Sequence, residues 1–382
     1  MYKVRKQALF DNLLRSVDQG LESFLGYSQA EALTLDDFKD DLNSNISLDW
    51  NGVSFQGLPL LRDHILFQAD LKSRCKIDDV LITAGAAEAN YLALRQILNP
   101  GDEMIVESPG WPQAEVIGSA TGANIKKIFR LEKESWHLPI EKLEQSISPK
   151  TKMIFLTNPN NPTGKKLSSE EINQIAHIAE KNGIWVLIDE VYAGLEWDNV
   201  RSTSIAGIYH RGISTGSVSK AFGMQGLRIG WIICQDQELI HDALVLREYS
   251  SQISNHLGEL IAEIALRPIK RAAFIEKIKA SSLINLNILT SFIESNSLLS
   301  WYKPEAGLIG LVRLHENSEL NGDSIADIAQ KPPFNTFLIS GSVYEQPQHI
   351  RLGVGGGQNA NLETGLSKLK LIIDNPSLYQ KN

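Results

Sequence analysis

What most constrains this chain is the rhythm of its middle, where short β-rich runs alternate with helical stretches. The candidate strands are Val80–Thr83, Glu103–Glu107, Asn124–Phe129, Lys152–Thr157, Ile184–Asp189, Gly212–Ser217 and Arg228–Cys234. Several are apolar throughout, as strands covered on both faces must be. Runs separated by helices predict an α/β fold built on a mostly parallel seven-stranded sheet. Ser168 to Asn182 reads as one of the covering helices. Ser168 caps it, Glu171 completes a capping box, Ile172, Ile175, Ala176 and Ala179 form its apolar stripe, and Gly183 stops it.

The ends follow a different pattern. Residues 1–45 read as helical and polar, without parallel-strand patterning. Residues 281–382 hold a helix, short strands at Leu308–Leu314, Thr336–Ile339 and His349–Leu352, and a closing helix over Leu362–Ile373. The expectation is a large α/β domain over 46–280 and a small α+β domain over 281–382. The N-terminal segment 1–45 is expected to pack on the small domain or across the cleft.

Length and composition exclude several classes of function. The 382 residues can bury a core without crosslinks. Cys75 and Cys234 lie far apart and suggest neither a disulfide framework nor a zinc cage, which favours a reducing, cytoplasmic home. A net charge of −8 with scattered Lys and Arg argues against nucleic acid. No apolar run approaches the ~20 residues of a membrane span. The basic start Met1–Lys6 leads into no apolar stretch of an export signal. The eight histidines show no ligand spacing, so no metal site is expected. No Gly-x-Ser-x-Gly elbow supports hydrolysis. Gly353-Val354-Gly355-Gly356-Gly357 lacks the spacing of a dinucleotide loop.

The chemistry-bearing signal is Ser217-Val218-Ser219-Lys220, continuing through Gly223 and Gly226 to Arg228. A lone lysine is ordinarily a solvated surface residue. This one follows a strand and lies among hydroxyls, glycines and an arginine, which suits a Schiff-base lysine beside a phosphate site. Three other segments agree. Asn158-Pro159-Asn160-Asn161-Pro162-Thr163-Gly164 follows a strand and could equally be a plain turn. Asp189 ends a strand where open α/β sheets bind ligands, and a buried carboxylate there needs a cationic partner. Thr83 to Asn90 is a strand-to-helix turn whose free N–H groups could cradle a phosphate.

Taken in order, these segments resemble the fold-type I pyridoxal-phosphate enzymes of the class I/II aminotransferase family, from about Leu48 to the C-terminus. The resemblance implies pyridoxal 5′-phosphate as cofactor and a Schiff base on Lys220, which then moves the Cα proton. It implies that Asp189 pairs with the pyridinium nitrogen, and that Asn161 and Tyr192 bind the ring oxygen. Trp111 would stack on the ring. Ser217, Ser219, Arg228 and the backbone of Ala86 and Ala87 would hold the phosphate. Arg351 would clamp the substrate carboxylate, with Asn161 beside it. The family also implies a homodimer with active sites near the interface. This chain departs from it in having Ala86 and Ala87 where Ser or Thr is common. It also has Gly52, with Trp50 nearby, where many relatives place a tyrosine that reaches the neighbour's phosphate.

The cofactor set leaves the reaction open, since every route begins from an external aldimine and a quinonoid. Glu190–Glu196, Arg247–Asn255 and Leu33–Phe38 are similar to a branch containing capreomycidine synthase. That likeness makes a cyclodehydratase the first expectation: an enzyme converting a hydroxylated L-arginine to a cyclic guanidino amino acid, aided by proximity in the ring closure. Glu22 and Glu196 are candidate guanidinium partners. The alternative is an L-amino-acid aminotransferase using a 2-oxo acid. A non-catalytic cofactor sensor is disfavoured, since no DNA-binding module precedes residue 48.

Overall fold

A computed structural model describes residues 9–11, 13–14, 20–43, 45–50, 52–315, 318–355 and 361–376. The first strand, β1 (Ser23–Phe24), belongs to the N-terminal segment. The next seven form one sheet: β2 (Val80–Thr83), β3 (Glu103–Ser108), β4 (Asn124–Phe129), β5 (Thr151–Thr157), β6 (Trp185–Asp189), β7 (Gly212–Ser217) and β8 (Gly230–Ile233). Their order is β2-β8-β7-β6-β5-β3-β4, with β8 antiparallel to both neighbours. Apolar side chains fill both faces. Leu187, Ile213 and Ile232 pack on one side, and Ile154, Val186 and Ile188 on the other. Because β5, β6 and β7 run parallel, Thr157, Asp189 and Thr215 come into register. Their following loops all open at the same edge.

The helix Ser169–Asn182 shows how local sequence sets these elements. Ser168 Oγ accepts from the Glu171 N–H at 3.1 Å, and Glu171 Oε2 accepts from the Ser168 N–H at 2.7 Å. Gly183 ends the helix at φ +65°.

The small domain holds β9 (Leu299–Trp301), β10 (Ile309–Leu314), β11 (Thr336–Phe337), β12 (Ile339–Ser340) and β13 (His349–Gly353). Four of these form an antiparallel sheet in the order β12-β13-β10-β9. Helices Gly322–Gln330 and Leu362–Asp374 pack on it through Ile325, Ile328 and Leu369.

Three expectations need correction. The span Thr336–Ile339 is not one strand: β11 pairs with β1, β12 pairs with β13, and Leu338 divides them. The residue 280/281 boundary falls inside one continuous helix, Pro268–Glu294. Its Ile278 belongs to the large-domain core, while Leu286, Leu289 and Ile293 belong to the small-domain core. The N-terminal segment is not helical throughout. From Gly20 onward its described residues are mostly irregular, with a 3-10 turn at Leu35–Phe38, and β1 pairs in parallel with β11. A two-residue strand leaves no periodicity to read, and its partner lies more than 300 residues away. Met1–Lys6, Gly356 and Gly357 lie outside the described residues. Among the described residues, no helix is long and apolar enough to cross a membrane.

Candidate active site

The loops at the sheet edge divide their polar residues between building turns and facing a cavity. After β5, Asn158 Oδ1 accepts from the Leu167 N–H at 2.8 Å, and Asn160 Oδ1 accepts from the Thr163 N–H at 3.1 Å. These two asparagines make the turn. Asn161 is left to face inward, where its Oδ1 accepts from Arg351 at 3.1 Å. Within this one segment, then, Asn158 and Asn160 build the turn while Asn161 lines the cavity.

All eleven residues expected to hold the cofactor or the substrate carboxylate line one cavity of about 360 Å³. At the end of β6, the Asp189 carboxylate accepts from Asn90 Nδ2 at 2.8 Å and from the Val191 N–H at 3.1 Å. It is 4% exposed and meets no cation among the described residues, and burial pushes its pKa up to about 6 against those two donors. Tyr192 is buried beside it, with its hydroxyl pKa raised to about 12, chiefly by burial. Beyond β7, the Ser217 hydroxyl accepts from the Ser219 N–H at 3.3 Å. Lys220 follows, half-buried, donating to the Ser28 carbonyl at 2.8 Å and the Ser28 hydroxyl at 3.1 Å. Burial, with the charges of Arg351 and Arg228, lowers its pKa to about 8.

The phosphate-cup candidates cluster at one end. Helix Ala86–Ile97 begins there at Gly85 without a side-chain cap. Arg228 donates to the Gln225 carbonyl at 3.0 Å and the Ala84 carbonyl at 3.1 Å. A Cβ on Gly85 (φ +86°) would stand 2.3 Å from Arg228 Nη2, so only glycine fits under that guanidinium. Ala87 and Arg228 are exposed, leaving this end of the cavity open in a single chain.

At the other end stands Arg351, 4% exposed. Its donors reach Asn161 Oδ1, the Tyr344 hydroxyl at 2.7 Å and the Gly26 carbonyl at 2.7 Å, while its Nε has no partner among the described residues. None of these acceptors carries a charge. Trp111 covers one wall and meets Phe10 edge-on at 5.7 Å between ring centroids.

Sequence reasoning missed several parts of the site. Leu9, Leu13, Tyr27, Ser28 and Gln29 line the cavity from the N-terminal segment. Asn90 and Tyr344 are bonded to Asp189 and Arg351. Asn90 closes the Thr83–Asn90 segment read above only for its backbone donors, and no local motif marks the others. The proposed guanidinium partners lie elsewhere. Glu22 is a surface residue paired with Lys368 at 2.7 Å, and Glu196 turns back to the Gly194 N–H at 3.0 Å. Their positions depend on long-range packing that their own neighbourhoods do not encode. Both cysteines are free and buried.

The donor set fits pyridoxal phosphate: a buried carboxylate lacking a cation, an amine of lowered pKa, and an uncapped helix N-terminus beside an arginine. Residues 53–369 match the aminotransferase class I and II family. The chain is 30% identical over 219 residues to an aspartate aminotransferase of Musicola paradisiaca (strain Ech703), covering 55% of this chain and 54% of that one. It thus spans about half the length of the first curated relatives it matches. A pyridoxal-phosphate-dependent aminotransferase from Streptococcus suis 89-1591 superposes over both whole chains with a TM-score of 0.87 at 25% identity. The pyridoxal-phosphate-dependent cyclase OrfR shares the fold, with a TM-score of 0.84 over 98% of each chain at 22% identity. This chain therefore belongs to the aminotransferase class I and II family, as a fold-type I enzyme that works with pyridoxal phosphate.

Proposed function

We propose that the enzyme is an L-amino-acid aminotransferase that passes the amino group to a 2-oxo acid. One observation carries the amino-acid substrate in this reading, and the likeness to aminotransferases supports amino-group transfer. Arg351 is a buried guanidinium with only neutral partners, and it opens on the same cavity as Lys220. A buried cation without a counter-ion is a site for an anion, and a substrate α-carboxylate supplies one in bidentate geometry.

In this reading Arg351 fixes the carboxylate and so orients the Cα–H bond toward Lys220. Lys220 Nζ takes the Cα proton and later returns it; its pKa of about 8 keeps a useful fraction neutral near pH 7–8. Bound pyridoxal phosphate supplies the electron sink that makes the Cα proton removable. Asp189 would supply the counter-charge for its ring nitrogen, and Asn161 and Tyr192 would bind its ring oxygen. Trp111 would lie against the ring. Ser217, Ser219, Arg228 and the N–H groups of Ala86 and Ala87 would hold its phosphate. Leu9, Leu13 and Tyr27, beside Gln29, leave room for a neutral substrate side chain.

Cyclodehydration of a hydroxylated L-arginine is the second reading. The whole-chain likeness to OrfR favours it. The absence of an acidic side chain other than Asp189 among the described cavity-lining residues weighs against it.

A homodimer belongs to the same reading. Leu48, Val53, Phe55 and Tyr249 are exposed apolar residues, and the phosphate end is open in one chain. Gly52 leaves the space around it empty, so a neighbour's phosphate would not receive a side chain from that position. Two free buried thiols agree with a cytoplasmic setting.

The test is direct. Purified protein should be yellow, with the colour fixed by borohydride and lost in Lys220→Ala; a colourless wild type would sink the cofactor assignment. Incubation with amino acids and 2-oxoglutarate, followed by mass spectrometry, should give glutamate with stoichiometric keto acid. Loss of water from hydroxyarginine isomers without keto-acid exchange would replace this reading with cyclodehydration.

A further inference from the structure

We propose that Ser28 is a catalytic residue whose two oxygens hold the ammonium that Lys220 becomes on taking the Cα proton. The inference rests on the reading of Lys220 as the proton acceptor and adds a partner for it from the N-terminal segment.

The geometry leaves that segment little freedom. Residues 25–31 thread between the Lys220 loop and the end of β13. A Cβ on Gly223 would stand 2.2 Å from the Glu31 carbonyl oxygen, one on Gly353 2.0 Å from that of Tyr27, and one on Gly355 1.9 Å from that of Gln29. The Gly353 N–H donates to the Leu25 carbonyl at 2.6 Å, and Arg351 donates to the Gly26 carbonyl at 2.7 Å. The glycines of Gly353-Val354-Gly355, which make no dinucleotide loop, are thus the seat of this strap.

Held there, Ser28 is 8% exposed and presents its carbonyl at 2.8 Å and its hydroxyl at 3.1 Å to Lys220 Nζ. The hydroxyl also shares a hydrogen bond with Tyr192. Among the described cavity-lining residues, the other charged and titratable groups are Arg351 from β13, Arg228 beyond the lysine loop, Asp189 and Tyr192 at the end of β6, and Tyr27 beside Ser28. The two arginines oppose a positive charge on Lys220. When the Cα–H bond breaks, its electron pair stays with the substrate carbon and the proton forms the third N–H of the ammonium. That new cation needs acceptors in a site already holding two guanidinium groups. Two neutral oxygens meet the need without trapping the proton. A carboxylate at the same distance would raise the lysine pKa and make return of the proton slow.

The experiment compares holoenzymes of wild type, Ser28→Ala, Ser28→Thr and Lys220→Ala. Exchange of the Cα proton for deuterium is followed on whichever of the twenty L-amino acids the wild type exchanges fastest. Ser28→Ala should slow exchange roughly ten- to hundredfold, the scale of one hydrogen bond to a charged group, and Ser28→Thr should restore most of it. In the apoproteins, the pH midpoint for trapping pyridoxal phosphate on Lys220 should fall by about one unit in Ser28→Ala. Wild-type exchange in Ser28→Ala, or Ser28→Thr no better than Ser28→Ala, overturns the role of Ser28. Loss of bound cofactor in Ser28→Ala also overturns it, assigning the residue to site assembly. Wild-type exchange in Lys220→Ala is a separate result that overturns the reading of the lysine itself.

Discussion

Asn90 Nδ2 donates to Asp189 Oδ2 across 2.8 Å, while the Thr215 hydroxyl donates to Asn90 Oδ1 at 2.7 Å. All three residues are buried. The threonine and the carboxylate together fix which way the amide points, so a neutral side chain is turned with its donor toward a charge that has no cation. The sheet register makes this possible, because Asp189 and Thr215 are neighbours on adjacent parallel strands.

This arrangement predicts a pH-dependent cost in the apoprotein. The pKa of Asp189 rises from 3.8 to about 6 on folding, so between those values the folded state binds more protons than the unfolded one. Stability due to this group therefore falls as pH rises from about 4 to 6, by about 3 kcal/mol in all. Denaturation of wild type and Asp189→Asn across pH 4–7 should show that difference. Asn90→Leu should carry the fall to higher pH. A wild-type minus Asp189→Asn difference independent of pH would contradict the account.

Lys220 should titrate near pH 8 in the apoprotein. Reductive trapping with pyridoxal phosphate and cyanoborohydride should accelerate through that pH and then level off. Arg351→Ala removes a nearby positive charge and should move the midpoint upward. A midpoint near the 10.5 of an ordinary lysine would show that burial and the two arginines do not act on it as described.

Arg351 spans Asn161, Tyr344 and the Gly26 carbonyl, with Nε left over. A lysine cannot reproduce that fork. Arg351→Lys and Arg351→Ala should lower kcat/KM for amino acids by about a hundredfold or more, the scale of a lost bidentate charged pair. Bound-cofactor absorbance should persist. Amines lacking a carboxylate should be turned over equally by wild type and variants; a loss for both substrate types would remove the clamp assignment.

Gly223 is held by the strap as much as by its own backbone. It sits at φ +64°, and an added Cβ would meet the Glu31 carbonyl at 2.2 Å. Gly223→Ala should cost about 1–3 kcal/mol or displace the N-terminal segment. Denaturation and limited proteolysis would detect either. Gly226→Ala, with nothing within 4 Å and no positive φ, is the matched control and should change stability little.

Much of this molecule was legible because its instructions are local. The capping box at Ser168 and Glu171, the apolar runs of the sheet, and the polar residues directly after each strand can be read from neighbours a few positions apart. A parallel sheet then gathers the ends of β5, β6 and β7 at one edge, so Asn161, Asp189 and Lys220 converge without further information. The strap was illegible for the opposite reason. Ser28 reaches a residue 192 positions away and Gly26 one 325 positions away, through backbone atoms that every residue type possesses.

By itself, then, the sequence determined the elements, their parallel order of chemistry and the family they belong to. Hydrophobic period and turn residues act over a few positions and need no distant partner. Only the tertiary structure decided where the N-terminal segment runs, that Ser28 faces Lys220, and that Glu22 and Glu196 stay out of the cavity. It also decided the charges, because burial raises the pKa of Asp189, while burial with the charges of Arg351 and Arg228 lowers that of Lys220.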